Sequence, residues 1–175
     1  KRDEKGRALS AIETKTGLSV FSGGITKMSK SKNNGVDPQT TINRFGADTV
    51  RLFTMFAAPP EQTLEWSDEG VLGAHRFLRK LWKMVQEHVE SGQSEPLDKD
   101  NLNPKQKDLR RKTHETILKV SDDFGRRNTF NTAIAAVMEL LNEVAKHNDH
   151  SEQTKATRHE ALENAILLLS PVAPH

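Results

Sequence analysis

The part of the chain after residue 66 repeats apolar side chains every three or four positions. Residues at this spacing line one side of an α-helix, which buries that side against its neighbours. The four series are Ala74, Phe77, Leu78, Leu81, Val85 and Val89; Leu109, Thr113, Ile117, Val120 and Phe124; Phe130, Ile134, Val137, Leu141 and Val144; and Leu162, Ile166 and Leu169. They predict four helices that form a bundle, and the predicted fold class is therefore mainly α.

The first 66 residues lack this period and predict shorter elements. Residues 7–22 alternate weakly around Thr16-Gly17, which predicts a small β-hairpin. A polar, glycine-flanked loop follows at residues 22–36. Two short helices are predicted next, over residues 37–46 and 48–57, because Asp-Pro is a favourable helix start and Gly a favourable stop.

Several single positions carry predictions of their own. Ser67 is expected to cap the first bundle helix, and Gly125 to end the second one in the left-handed conformation. Trp82 lies beside apolar neighbours, so partial burial is expected rather than a surface on which a base stacks. The Asp122-Asp123 pair is expected to be solvated near a helix end. Three phenylalanines are predicted to belong to the core, namely Phe45, Phe53 and Phe56.

Composition narrows the classes of protein that fit. The chain has 175 residues, a net charge of +2 and no cysteine, which excludes disulfides and thiolate metal sites. No apolar run approaches the ~20 residues of a membrane helix, so we expect no membrane partner, and the lack of cysteine fits a cytoplasmic protein. His147 and His150 have the spacing of two metal ligands, but no third ligand is spaced to join them, and we predict no metal site. Both ends suggest an internal piece of a longer protein.

Candidate chemistry lies in the loop at residues 27–35, which reads KMSKSKNNG. Lys27, Lys30 and Lys32 present three ammonium groups on a polar segment that could fold over phosphates. Positive charges placed in this way stabilise the negative charge that develops on a leaving pyrophosphate. A solvated lysine-rich surface loop is the alternative, and for three lysines alone it is the commoner explanation.

The residues around this loop match a known family. Residues 27–31 spell KMSKS, and the agreeing flanks are Asp37-Pro38 and residues 45–52, 64–66, 76–82, 130–135 and 138–140. The chain resembles the class I aminoacyl-tRNA synthetases over essentially its whole length. The continuation of the motif through Lys32, Asn33 and Asn34 is similar to the leucyl branch of that family in its bacterial form.

The resemblance implies a reaction and assigns roles within the loop. The parent enzyme would activate leucine with ATP, accompanied by Mg²⁺, and attach it to tRNA(Leu). Lys30 would contact the phosphates of ATP in the transition state and Lys27 would assist, which makes these two the predicted catalytic residues. Met28 would lie near the adenine, and Ser29 and Ser31 would shape the loop. All five residues form the predicted ATP-binding set.

Basic side chains on the helices are the predicted contacts with tRNA. The candidates are Arg76, Arg79, Lys80, Lys83, Arg110 and Arg111. Lysine and arginine make most contacts with nucleic-acid phosphates, although a solvated helix face is the alternative for any one of them. The resemblance implies that the anticodon is not read by the leucyl branch, so the bundle would support the body of the tRNA.

The resemblance also implies three parts of the chain. Residues 1–24 would end a leucine-specific insertion, residues 25–66 would form the KMSKS loop and connector helices, and residues 67–175 would form a tRNA-binding bundle truncated at its C-terminus. The other signature of the family, HIGH, is absent. We therefore expect no adenylate formation by this chain alone. An isoleucyl, valyl or methionyl synthetase, or a non-catalytic tRNA-binding module, is the alternative source.

Overall fold

The computed structural model describes residues 10–20 and 25–175. Strands β1 (Ala11–Ile12) and β2 (Ser19–Val20) pair antiparallel, with Ala11 opposite Val20. Gly17 turns the chain between them with φ of 70°, a value that favours glycine. The predicted hairpin is confirmed in this part, and its remaining predicted residues lie outside the described ones.

Six α-helices make up most of the described chain, which confirms the mainly α fold class. They are α1 (Pro38–Phe45), α2 (Ala47–Ala57), α3 (Asp68–Glu90), α4 (Pro104–Asp122), α5 (Phe130–Val144) and α6 (Glu152–Leu169). A 3₁₀ turn (Lys30–Lys32) precedes them, and a π-helical turn (Asp123–Arg127) follows α4. No helix in the described ranges is both long and apolar enough to cross a membrane.

The chain divides into two compact units, residues 1–37 and 38–175. The hairpin and the lysine loop belong to the first unit, and all six helices belong to the second. The three predicted parts, residues 1–24, 25–66 and 67–175, stay a prediction.

The core of the second unit lies between α4, α5 and α6, with α2 packed on α3 and α5. Its largest fully buried side chains include Leu52, Leu109, Ile134, Leu140 and Leu141. Burying a side chain of this size contributes roughly 1.5–3 kcal/mol each, and such burial drives the assembly of the helices.

Local capping fixes where two of these helices begin. Ser67 Oγ accepts a hydrogen bond from the Gly70 amide at 3.0 Å, which confirms Ser67 as the cap of α3. At α4, the Asn103 and Gln106 side chains each accept from the other residue's backbone amide, forming a capping box. Gln106 is buried and also donates to Thr154 Oγ1 of α6 at 2.9 Å, so this cap is tied to the bundle.

The buried face of α3 differs from the predicted one near the end of the helix. Val89 is 68% exposed, whereas Met84 and His88 are buried. The reason is that α3 changes partner along its length. Its first turn packs on α2, where Gly70 lies under the ring of Phe53, and its last turn meets α6 through His88 and His159.

Three further predictions of buried apolar residues are wrong. Trp82 is 73% exposed, Ile166 is 44% exposed and Phe56 is 40% exposed, while Phe53 is buried and Phe45 is half-buried, as expected. A helix has several flanks, and the apolar pattern cannot decide which flank has a neighbour. In α6 the small residue Ala165 is buried where the larger Ile166 is not.

The end of α4 also departs from the prediction. Gly125 lies inside the π-helical turn and does not take the left-handed conformation, which Asn128 adopts instead with φ of 53°. Asp123 is fully buried rather than solvated. The wider turn carries its carboxylate inward, where Lys119 and Thr132 supply the hydrogen bonds that a buried charge requires. Asp122 stays partly exposed beside Arg126.

Candidate functional site

A 3₁₀ turn organises the lysine loop. Ser29 caps the turn, and its Oγ accepts a hydrogen bond from the Lys32 amide at 3.3 Å. The Asn33 amide donates to the Lys30 carbonyl at 3.1 Å, and Asn33 itself takes a left-handed conformation with φ of 49°. Asparagine tolerates this conformation better than most residues, so the chain can reverse directly after the motif. Ser29 and Ser31 lie with their hydroxyl oxygens 3.2 Å apart.

Asn34 closes the loop and is a residue whose role the motif did not reveal. Its Oδ1 accepts from the Ser29 amide at 2.9 Å, and its Nδ2 donates to Thr26 Oγ1 at 3.1 Å and to the Lys27 carbonyl at 3.4 Å. A short amide side chain at the end of a tight loop is the signal that could have indicated this role, because such side chains bond to nearby backbone groups.

The lysines of the loop are exposed to solvent. Lys27, Lys30 and Lys32 make no ion pair with a carboxylate anywhere in residues 10–20 and 25–175. Residues 25–36 contain no aspartate or glutamate. Among the described residues the loop therefore presents positive charge without a carboxylate partner, which suits an anionic ligand such as a polyphosphate.

Helix α3 carries a row of exposed basic side chains. Within the described residues, Arg76 and Arg79 have no carboxylate partner. Lys80 donates to an asparagine amide of α5 at 2.8 Å, and Lys83 lies 3.5 Å from Glu87 in a solvent-exposed pair. Exposed pairs of this kind contribute little and are easily exchanged for another anion.

The two basic candidates on α4 are already paired. Arg110 lies 3.1 Å from Glu160 of α6, and both side chains are largely buried. Arg111 is held between Asp108 at 3.3 Å and Glu115 at 2.9 Å. A phosphate that binds either arginine must compete with a carboxylate, so Arg110 and Arg111 are less available to an anion than Arg76 and Arg79.

The two histidines with the spacing of metal ligands, His147 and His150, lie in different surroundings in the structure. His147 is buried with Nε2 3.4 Å from Glu143, whereas His150 is exposed. In the part of the chain that the structure describes, no three histidine, aspartate or glutamate side chains are grouped as metal ligands would be.

Family models match two segments of the chain. Residues 15–67 match the model described as tRNA synthetases class I (I, L, M and V). Residues 106–175 match the model described as the anticodon-binding domain of tRNA ligase. The first segment includes the lysine loop, and the second covers most of α4 together with α5 and α6.

Curated relatives match nearly the whole chain. The leucine–tRNA ligases of Marinobacter nauticus and Chromohalobacter salexigens are 64% and 65% identical to it over 174 residues, which is 99% of this chain and 20% of each relative. That of Cellvibrio japonicus is 65% identical over 175 residues, with the same shares covered. The chain thus spans about a fifth of the length of the relatives it matches.

Two solved structures share the fold. The crystal structure of a ternary complex of Agrobacterium radiobacter LeuRS with tRNA and LeuAMS matches with a TM-score of 0.74 and 27% identity, over 85% of this chain and 20% of that one. The free-state Mycobacterium tuberculosis methionyl-tRNA synthetase matches with a TM-score of 0.59 over 79% of this chain and 32% of that one. At 20% identity, the second likeness concerns the fold alone.

Proposed function

We propose that this chain is a working part of a leucine–tRNA ligase. The proposal proceeds from the premise that the chain belongs to the class I tRNA synthetases of the isoleucyl, leucyl, methionyl and valyl group. In the proposed reaction the carboxylate of leucine attacks the α-phosphate of ATP, which forms leucyl-adenylate and releases pyrophosphate. The leucyl group then passes to tRNA(Leu). Leucine rather than isoleucine, valine or methionine is supported by the 64–65% identity to leucine–tRNA ligases.

The observation that carries the proposal is the positive charge of the folded lysine loop, for which residues 10–20 and 25–175 supply no carboxylate partner. Lys30 is proposed to contact the phosphates as charge develops on the leaving pyrophosphate, and Lys27 to assist. Met28 would approach the adenine through its backbone, while Ser29 and Ser31 hold the turn. No side chain here has to act as nucleophile or base, so the contribution of the loop is positioning and charge neutralisation.

Mg²⁺ is proposed to arrive bound to the phosphate oxygens of ATP. The described residues group no three metal-ligating side chains that would hold it by themselves. Phosphate and water oxygens are ligands that Mg²⁺ commonly keeps, so this part of the protein needs only to bind the charged nucleotide.

The helical unit is proposed to support the body of tRNA(Leu) in the cytoplasm. Arg76, Arg79, Lys80 and Lys83 line the exposed flank of α3 and are the favoured phosphate contacts. Arg110 and Arg111 belong to the same candidate set, but their carboxylate partners place them second.

The test of the proposed function is Lys30→Ala in the full-length protein that contains this chain. We expect leucine-dependent exchange of pyrophosphate into ATP to fall by about 100-fold or more, as is typical when one group that stabilises transition-state charge is removed. Thermal stability and tRNA affinity should change little. Lys15→Ala, an exposed lysine of the hairpin, is the matched control and should retain exchange.

Unaltered exchange in Lys30→Ala would overturn the assignment. The 175-residue chain assayed alone should show no exchange, since the other signature of the family is absent from it. Exchange by the purified chain, with contaminating synthetase excluded, would contradict that expectation.

A further inference from the structure

We propose that Asn34 is a positioning residue for adenylate formation, because its side-chain amide holds the lysine loop in the shape that presents Lys27 and Lys30 to ATP. The inference rests on the proposed function and adds to it a residue outside the five-residue motif. Asn34 is not proposed to contact ATP; it acts through the residues it binds.

The Asn34 amide is the link between the two sides of the loop. Hydrogen bonds within the 3₁₀ turn connect residues 29–33 and do not reach the residues before them. Asn34 does reach them, through Thr26 Oγ1 and the Lys27 carbonyl on one side and the Ser29 amide on the other. A single side chain therefore ties the segment that enters the loop to the residue that caps the turn.

This arrangement places one constraint on each catalytic lysine. The bond to the Lys27 carbonyl restrains the backbone from which the Lys27 ammonium extends. The bond to the Ser29 amide holds the cap directly before Lys30, which starts the turn. Two long, exposed side chains lose much freedom on binding, and a preformed backbone reduces that cost.

The chemistry requires an amide at position 34. In the folded loop an acceptor meets the Ser29 amide and a donor meets the Lys27 carbonyl, and without them these exposed backbone groups would turn to water. Asparagine supplies both from one short side chain, whereas an ionised aspartate is acceptor only and alanine supplies neither. The left-handed Asn33 turns the chain so that Asn34 follows directly on the returning side of the loop.

The test compares Asn34→Ala and Asn34→Asp in the full-length protein, with Asn43→Ala on α1 as the matched control. Pyrophosphate exchange is measured against ATP concentration, beside thermal unfolding and tRNA affinity. We expect kcat to fall about 10- to 100-fold for Asn34→Ala and less for Asn34→Asp, which keeps the acceptor, as expected for misplaced catalytic groups. The KM for ATP should change by less than about threefold, because the positioned lysines act in the transition state. The control should resemble the parent protein.

A double variant separates positioning from a merely structural role. If Asn34 acts through the two lysines, Asn34→Ala should lower kcat by a clearly smaller factor in a Lys30→Ala background, where only Lys27 remains to be positioned, than in the parent protein, since groups that act as a unit are not additive. The proposal would be overturned if the double variant lost kcat by the full product of the two single losses. It would also be overturned if a lowered unfolding temperature accounted for the lost activity. An unchanged kcat in Asn34→Ala when Lys30→Ala is inactive would overturn it as well. An unchanged kcat in Lys30→Ala would instead remove the proposed function itself.

Discussion

Thr132 Oγ1 donates a hydrogen bond of 2.5 Å to Asp123 Oδ2, and so joins the first turn of α5 to a carboxylate at the end of α4. The same oxygen accepts from Lys119 at 3.0 Å, and Oδ1 faces Arg127 at 3.3 Å. Asp123 is fully buried, so its charge depends on these partners. This carboxylate helps to hold the connection from α4 to α5 at the π-helical turn, beside the contact between the rings of Phe124 and Phe130.

Asp123→Ala should destabilise the 175-residue chain by about 2–3 kcal/mol, the range for removing charge-assisted hydrogen bonds from a buried group. The cost stays below that of a fully buried pair because Lys119 and Arg127 can return to water. Urea unfolding followed by helical circular dichroism measures the change. Asp122→Ala, whose partner Arg126 is exposed, is the control and should cost less than about 0.5 kcal/mol. An equal loss of unfolding free energy in Asp123→Ala and Asp122→Ala would contradict the role given to Asp123.

Asp123 should also make stability depend on pH. Burial raises the pKa of this carboxyl, but the hydrogen bonds from Thr132 and Lys119 together outweigh burial and hold the pKa below its ordinary value. A depressed pKa in the folded state contributes stability above the unfolded pKa of roughly 3.9, and that contribution is lost as the pH falls through the folded value. The stability difference between the parent and Asp123→Asn should be constant above about pH 5 and shrink below about pH 4. If this stability difference instead grew as the pH falls, the pKa of Asp123 would be raised by folding rather than lowered.

The two tryptophans should respond differently to removal. Trp66 packs edge-to-face on Phe53, with ring centroids 5.2 Å apart, and donates to Asp68, so Trp66→Ala should cost about 1–2 kcal/mol. Trp82 is 73% exposed, and Trp82→Ala should cost less than about 0.5 kcal/mol in this chain. Each variant leaves one indole, so acrylamide quenching of the remaining fluorescence reports its exposure directly. Stronger quenching of Trp66 than of Trp82 would contradict the structure.

Binding of tRNA should depend more on Arg76 and Arg79 of α3, which have no carboxylate partner among the described residues, than on arginines that are already paired. Arg76→Ala combined with Arg79→Ala, in the full-length protein, should weaken tRNA binding and reduce the slope of log K against log salt by about 1 for each phosphate that is no longer neutralised. Arg111→Ala combined with Arg126→Ala removes two exposed charges that are already paired, and should change the slope little. Filter binding at several salt concentrations measures both. A larger change of this slope in the Arg111 and Arg126 double variant would contradict the preference for Arg76 and Arg79 as contacts with tRNA.

Short-range features of this protein were predictable from its residues. Ser67 and Asn103 cap their helices by bonds to residues three positions away, so the information for both starts is local. The hairpin turn at Gly17 and the lysines of the loop are local as well. The assignment of catalytic roles to Lys27 and Lys30 came from the motif that contains them, and it stays a prediction.

The surroundings of individual side chains were decided by tertiary structure. Val89 and Trp82 lie on apolar flanks of α3, but only the positions of α2 and α6 determine which flank is covered. Asp123 is adjacent in sequence to the partly exposed Asp122, yet it is buried because a π-helical turn carries it toward Thr132. Asn34 meets Thr26, Lys27 and Ser29 only because the loop folds back on itself. The amino-acid sequence by itself therefore determined where elements begin, which elements form and which charges are present. The fold decided which side chains meet, because burial and partnership depend on neighbours that are distant along the chain.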